Sequence, residues 1–313
     1  MLDQTADKPH RQRTWPRSRA SRETKDITLV PESHSGGVRL LVKSFEQLLM
    51  LLVAFISLAP LYVMIITSLK TTAEFRANFA SVVPPQEPTF EKFVEAWSGL
   101  QFSALMQNSL ILSATSAALV TLIAALGGFA LARIRFPGRR VFLLASVMLM
   151  SVPAIVIIVP LFSLFSRLGW VNTYPAAIVA EIGINVPFAV YLTYTFMREI
   201  PQELFRAAEV DGAAWLRQLV SIALPLSRPI LVTVSLVTAI FVWNDLLVPL
   251  ILWQSEELRT LMVGLANLAP GRAGAVDVPL VMAGVCISVL PIVGLFILAQ
   301  RVFVRGLVEG GLK

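Results

Sequence analysis

The chain has 313 residues, 56% of them hydrophobic and only 15% charged, with a formal net charge of +6. Soluble domains are about 25% charged, so this composition excludes an ordinary soluble fold and places the chain in a bilayer. The basic excess flanks apolar spans and has no aromatic or motif context for base reading, which sets nucleic-acid binding aside.

Residues 1–40 are polar, basic and rich in Arg, Ser and Thr. The stretch is too long, and the apolar run after it too extended, for a cleaved signal peptide. It reads as a disordered cytoplasmic tail. Both histidines, His10 and His34, fall in it, so a histidine metal site inside the membrane is excluded.

Residues 41–313 read as one transmembrane domain. Crossing roughly 30 Å of hydrocarbon takes about 20 apolar residues as a helix, and lipid leaves unpaired backbone no other partner. Six stretches qualify: Gln47–Leu69, Leu105–Ala132, Val141–Ser166, Ala176–Met197, Ile230–Trp253 and Leu280–Gln300. The expected fold is therefore an all-α membrane protein with six transmembrane helices. Arg39 and Lys43 precede the first span. Arg133, Arg135, Arg139 and Arg140 fill the loop after the second, and Arg301 and Arg305 follow the last. With an even number of spans these segments share one side, which the distribution of Arg and Lys makes cytoplasmic, together with both termini.

Between the first two spans, Lys70 to Ser103 has length for a small helix, and Gln254 to Pro279 forms a second external loop. Neither holds a soluble catalytic core. Pro60, Pro153, Pro160, Pro187, Pro249 and Pro291 lie within spans, where proline removes a backbone bond and kinks a helix. Trp170, Tyr174 and Trp253 stand near span ends and read as interfacial aromatics. The lone Cys286 excludes an intramolecular disulfide.

An acid within a span costs about 2.5–3.5 kcal/mol at the helix centre. Glu181 and Asp245 are therefore expected to face protein or water. Two readings stand side by side. They line a path for a hydroxyl-bearing substrate with Asn185, Trp243 and Asn244, or they form buried hydrogen bonds to Asn185, Asn244 or a facing helix. No nucleophile with its base lies inside the spans, so no catalytic residue is assigned.

Between the fourth and fifth spans runs a polar stretch, Ile200 to Pro225. Leu204, Ala207 and Ala208 fall on one helical face and Glu203, Arg206 and Glu209 elsewhere. Gly212 suits the left-handed end of that helix, and Asp211 can bond local backbone in the turn. A second helix is expected from Ala213 towards Leu224, with Trp215, Leu216, Leu219, Ile222 and Ala223 on one side and Pro225 as its stop. The residues alone fit either an amphipathic connector on the membrane surface or a handle for a soluble partner.

The segment resembles the signature loop of permease subunits in binding-protein-dependent ABC importers, E-A-A-x-x-x-G, nine residues, then I-x-L-P. The matching residues are Ala207-Ala208, Gly212, Ile222 and Leu224-Pro225, with Asp211-Gly212-Ala213 as the extended form. Asn108-Ser109, Trp243-Asn244-Asp245 with Pro249, and the ending from Gln300 to Leu307 resemble the carbohydrate-uptake, maltose-permease branch. The resemblance implies a type I importer permease with a homologous core at about 104–300 and a coupling loop at about 198–228. It also implies that Glu203, Arg206, Ala207, Ala208, Glu209, Asp211, Gly212, Ala213, Ile222, Leu224 and Pro225 couple to an ATPase. Arg206 stands where the pattern has Glu, which inverts that charge.

Nothing in the chain supplies ATP chemistry. A phosphate-cradling loop needs Gly-Lys-Ser/Thr, and none of Lys8, Lys25, Lys43, Lys70, Lys92 and Lys313 follows a glycine. The chain is therefore read as a non-enzyme without a cofactor of its own. The resemblance places ATP and magnesium on two partner ATP-binding subunits, alike or different. It adds a second permease and an external solute-binding protein, and it puts the chain in the inner membrane of a bacterium or archaeon. The implied cargo is an oligosaccharide or disaccharide, with glycerol phosphate or a polyol as the alternative. An ion-coupled secondary transporter wants buried charge pairs, which two intramembrane acids without a base do not provide.

Overall fold

A computed structural model describes residues 36–78, 82–99, 101–268 and 276–310. The disordered tail expected at the N-terminus lies almost entirely outside them. The described residues are helical, with no strand among them. By contacts the chain divides into Met1–Ser57 and Leu58–Lys313. In the first unit, the described residues belong to the apolar beginning of helix α1 (Gly36–Ser68).

In the second unit, four helical pieces make the frame: α4 (Phe102–Arg133), α7 (Tyr174–Glu199), α11 (Arg228–Asn244) and α14 (Val278–Gly310). Helices α4 and α7 form the most extensive pair, and they run in the same direction. Near their starts the Tyr174 hydroxyl donates to Asn108 Oδ1; at their ends the Arg133 guanidinium donates to Met197 O and Ile200 O. Small residues line their contact: Gly127 and Gly128 lie against Val190 and Thr193, and Ala124 clusters with Ala189 and Val190. Ala117, Ala124, Ala125 and Gly128 on α4 are buried, as are Ala177, Ala180 and Ala189 on α7. Lipid is as apolar as leucine, so membrane helices associate by close packing, and small side chains let the backbones approach.

Four helices are long and apolar enough to cross a membrane, or six if each of two bent pairs counts as one span. The third expected span is one such pair: α5 (Arg139–Met150) and α6 (Ala154–Arg167) meet at 104°. The bend falls at Ser151–Pro153, where proline disfavours the helical conformation of the residue before it. The fifth expected span is also interrupted, at Asp245-Leu246, before the short α12 (Leu247–Leu252). Pro249 lies inside α12 and is not the break. Pro60, Pro160, Pro187 and Pro291 sit within unbroken helices.

The end of the fold at the starts of α4 and α7 is more ordered than the sequence suggests. Lys70 to Ser103 carries two short helices, α2 (Thr72–Ala77) and α3 (Glu91–Gly99). The segment from Gln254 contains α13 (Leu261–Leu268), which buries Leu261, Val263 and Leu265. Asn108 Nδ2 donates to Glu257 O and Arg259 O, and Ser109 Oγ accepts from the Leu261 N–H. Trp253 is fully buried, edge-on to Tyr174 at 5.0 Å, with Nε1 donating to Thr173 O. It is a core residue and not an interfacial one, because its indole N–H finds a backbone partner inside.

Also at that end, Lys92 bonds Asp277 and Glu95 at 2.7 Å each, and Thr72 Oγ1 donates to Asp277 Oδ2. Burial alone raises the pKa of Asp277, but bonds from Lys92, Thr72 and the Leu280 N–H outweigh it and hold the carboxyl below its usual range. Burial likewise pulls Lys92 down, and its two carboxylate partners carry it above the ordinary lysine value. A depressed carboxylate stabilises above its unfolded pKa and loses that contribution as pH falls through its folded pKa. A raised lysine stabilises below its unfolded pKa and loses that contribution as pH rises through its folded one. This tether is therefore expected to be constant across neutral pH and to fail only in acid or strong base. Asp277→Asn is expected to cost about 1.5–3 kcal/mol, read as faster amide exchange over α3; unaltered exchange there would exclude the tether.

Candidate functional site

At the opposite end the chain leaves α7 and builds a helical projection. Helix α8 (Gln202–Val210) begins after Pro201, with Glu203 in its first turn where the positive end of the helix dipole favours an acid. Phe205 is 3% exposed and sits in a cluster with Phe129, Met197, Ile200, Leu219 and Ala223. Its ring lies 6.4 Å from that of Phe129, and the Arg133 guanidinium stacks on it at 4.1 Å. Arg133 thus closes the carbonyl end of α7 and holds α8 with one side chain.

Helix α8 ends in a complete Schellman turn. Gly212 takes φ +75°, its N–H donates to Glu209 O at 3.0 Å, and the Ala213 N–H donates to Ala208 O at 2.8 Å. The main chain closes this turn; the Asp211 carboxylate, expected to bond it, is exposed. Buried Gln218 donates from Nε2 to Ala213 O and fixes the turn from beneath.

The second helix is not the single regular piece that the sequence suggests. It runs as α9 (Trp215–Gln218), a π-turn at Leu219–Ala223, and α10 (Leu224–Leu226). The Leu224 N–H reaches back to Leu219 O. Pro225 lies within α10 and does not stop the helix; the chain turns by 76° into α11 around Ser227. The wider turn buries Gln218, Leu219 and Ala223 while leaving Trp215 and Leu216 outside. A π-turn shifts the register by one residue, which is why a regular helical period misassigned that face.

The projection presents four large apolar side chains outward among its charged ones. Leu204 and Trp215 are about half exposed, Leu216 is 69% exposed and Val210 88%. Ala207 is exposed, Ala208 and Ala213 partly so, with Glu203, Arg206 and Glu209 exposed along α8. Arg206 makes a long contact of 3.4 Å to Gln202 Oε1. Of the remaining loop residues, Ile222 and Leu224 are half-buried against the Phe205 cluster.

The intramembrane polar residues do not form one group. Glu181 is 2% exposed, and Asn185 Nδ2 donates to Glu181 O at 2.9 Å and Glu181 Oε2 at 3.2 Å. The Asp245 carboxyl lies close enough to Glu181 to interact electrostatically, yet Glu181 Oε1 makes no hydrogen bond. Asp245 caps α12, accepting from the Leu247 and Val248 N–H groups. Trp243 packs instead with Phe102, Leu105, Leu261 and Leu265, and edges an apolar cleft of about 540 Å³ between α4, α11 and α14. Asn244 is exposed and bonds back to Ile240 O. Among the described residues, no group of three or more His, Cys, Asp or Glu is arranged to hold a metal ion.

Residues 124–308, which include the whole projection, match the family described as the inner membrane component of binding-protein-dependent transport systems. The chain belongs to this family. It is 30% identical over 267 residues to the melibiose/raffinose/stachyose import permease protein MelC of Bacillus subtilis, covering 85% of this chain and 95% of that protein. It is 32% identical over 265 residues to the trehalose/maltose transport system permease protein MalG of Thermococcus litoralis, covering 84% and 94%. The fold matches a bacterial ABC transporter involved in the import of the acidic polysaccharide alginate, with TM-score 0.74 and 20% identity over 86% of this chain and 98% of that one. Within this inner-membrane family, the chain is a multi-pass helical permease of the ABC importer type.

Sequence reasoning reached the loop and its glycine. It missed Phe205, Arg133 and Gln218, which hold the loop rigid. The signal for Phe205 was present: it is the one aromatic on α8, placed opposite the exposed Ala207.

Proposed function

We propose that the chain is one membrane half of an ATP-driven importer that carries an oligosaccharide or disaccharide delivered by an external binding protein. The saccharides in the names of the relatives support the cargo class. The observation that carries the mechanism is the projection itself, anchored by Phe205 and Arg133 yet offering Leu204, Val210, Trp215 and Leu216 to the outside. Exposed apolar surface of this kind marks a protein contact.

The partners are a second permease, two ATP-binding subunits that carry ATP and magnesium, and the solute-binding protein. The projection is taken to face the cytoplasm of a bacterium or archaeon, supported by the arginine-rich loop between α4 and α5 at the same end; an even number of spans would put both termini on that side. ATP-driven closure of the ATPase pair displaces α8, whose docking electrostatics rest on Glu203, Arg206 and Glu209. The buried Phe205 passes that displacement to α4 and α7, and the broken spans exchange outward for inward access. The coupling is conformational, with nucleotide and loaded binding protein biasing one equilibrium. Trp243 is taken as a path residue, supported by its position at the rim of the apolar cleft; Asp245 caps α12 across the break in the fifth span, and Asn185 and Glu181 bond each other within α7.

Gly212→Val tests this reading. A β-branched residue at φ +75° costs about 1–2 kcal/mol and opens the Schellman turn. The variant is expected to reach the membrane but to lose most binding-protein-stimulated ATP hydrolysis by its partners. Normal stimulation together with normal co-purification of the ATPase would overturn docking at this joint.

A further inference from the structure

We infer that the cleft beside the α7–α8 corner is a headgroup site for an anionic phospholipid. The cleft, about 450 Å³, is lined by Arg133, Arg135, Arg139 and Arg198 against one opposing carboxylate, Glu199. None of these arginines forms a salt bridge within the described residues. Arg133 is committed to Met197 O, Ile200 O and the Phe205 ring, and its Nε remains buried without a hydrogen bond.

A second feature aims at the same place. Helix α5 begins at Arg139 behind Gly138 at φ +87°, with no side chain capping it. In that first turn the Arg139 and Val141 N–H groups donate to Phe136 O and Gly138 O, which leaves the Arg140 N–H and the positive end of the helix dipole to an anion. Arg139 also lines a smaller adjoining cavity with Arg135 and Arg140, so the basic surface is continuous around that helix start.

The rest of α5 says which anion. Directly beyond the arginines, Val141, Phe142, Leu144 and Met148 are 59–67% exposed. A guanidinium cleft at the ends of membrane-spanning helices, continuing into an apolar helix face, matches a phosphate headgroup followed by acyl chains. Basic pockets between helices at the membrane surface bind anionic lipids in this way. A free phosphate ion would leave the apolar face unused. Acidic side chains of a soluble partner would not reach along α5 into the hydrocarbon.

The test is native mass spectrometry of the full chain released from bilayers of phosphatidylcholine with a minority of phosphatidylglycerol. The wild-type chain is expected to retain phosphatidylglycerol selectively, and excess inorganic phosphate is expected not to displace it. Arg139→Gln is expected to lower that selectivity roughly five-fold, and Arg139→Gln with Arg198→Gln about thirty-fold, at about 1 kcal/mol for each arginine. Glu199→Gln removes the opposing charge and is expected to raise retention, an outcome that a misfolded variant does not produce. Unchanged selectivity in the double variant overturns the site. So does displacement by inorganic phosphate, which makes the ligand a free anion. Loss of the co-purifying ATPase from the double variant with lipid retention intact also overturns it, and assigns the cleft to a protein partner. None of these readouts depends on the cargo or on transport.

Discussion

Phe205→Ala is expected to free α8 from the membrane-embedded core while leaving the chain inserted. Emptying a buried phenylalanine site costs about 3–5 kcal/mol, and the Arg133 stack contributes about 0.5–2 kcal/mol that is lost with the ring. The other members of that cluster lie on α4, at the end of α7 and in the π-turn, and α4 and α7 form the most extensive helix pair without it. The damage therefore stays local. Amide exchange over 202–210 is expected to accelerate by roughly three to five powers of ten. The ATP-binding subunits proposed as its partners are expected to retain basal hydrolysis and lose its link to transport. Phe205→Leu, which keeps apolar volume but removes the ring face under Arg133, is expected to fall between. Exchange over α8 that stays at the wild-type rate in Phe205→Ala would dismiss the anchor, and with it the route of displacement into α4 and α7.

Gly128→Val is expected to prevent α4 and α7 from closing. A Cβ at Gly128 would stand 2.8 Å from Thr193 Cγ2, 2.9 Å from Thr193 Cβ and 3.0 Å from the Tyr194 backbone nitrogen. Thr193 is fully buried and β-branched, so its rotamers are few and none clears the contact cheaply. The backbone of α7 cannot move aside without opening the whole small-residue seam. Overpacking of this kind costs about 1–3 kcal/mol for a methylene or two, and more where backbone is struck. The neighbouring glycine gives the control. A Cβ at Gly127 meets Val190 Cγ2 at 3.3 Å, a side-chain contact that a few tenths of an ångström relieve. Gly127→Ala is expected to resemble the wild type in yield and thermal midpoint in detergent, and Gly128→Val to lose both. Equal behaviour of the two variants would refute a seam closed at Gly128.

The relation between the two predictions shows where sequence and structure divide the work. The apolar runs, the even parity of the basic loops and the spacing from Ala207 to Pro225 are local or additive properties, and each is legible without coordinates. A left-handed glycine ending a short helix is equally local: Gly212 closes its turn with backbone bonds from within six residues. The aromatic anchor is not local. Phe205 becomes buried only because Phe129 and Arg133, more than seventy residues earlier, end their helix beside it.

The same holds at the other end. Asn108-Ser109 is recognisable as a family element, but that it ties down the segment leading into α13 appears only when its bonds to 257–261 are seen. Trp253 near a span end looked interfacial; Thr173 and Tyr174, brought by another helix, make it core. Asp245 looked like part of a path lining or a bond to a facing helix; the fifth span breaks there and turns its carboxyl to cap α12. Hydrophobic amount and turn chemistry are thus written residue by residue, and they determine that this chain is a bundle of membrane helices bearing a jointed loop. Which helix faces touch, where a span breaks and what holds the loop are decided by packing between distant segments. Close approach of two backbones depends on both partners at once, and no single stretch of sequence carries that information.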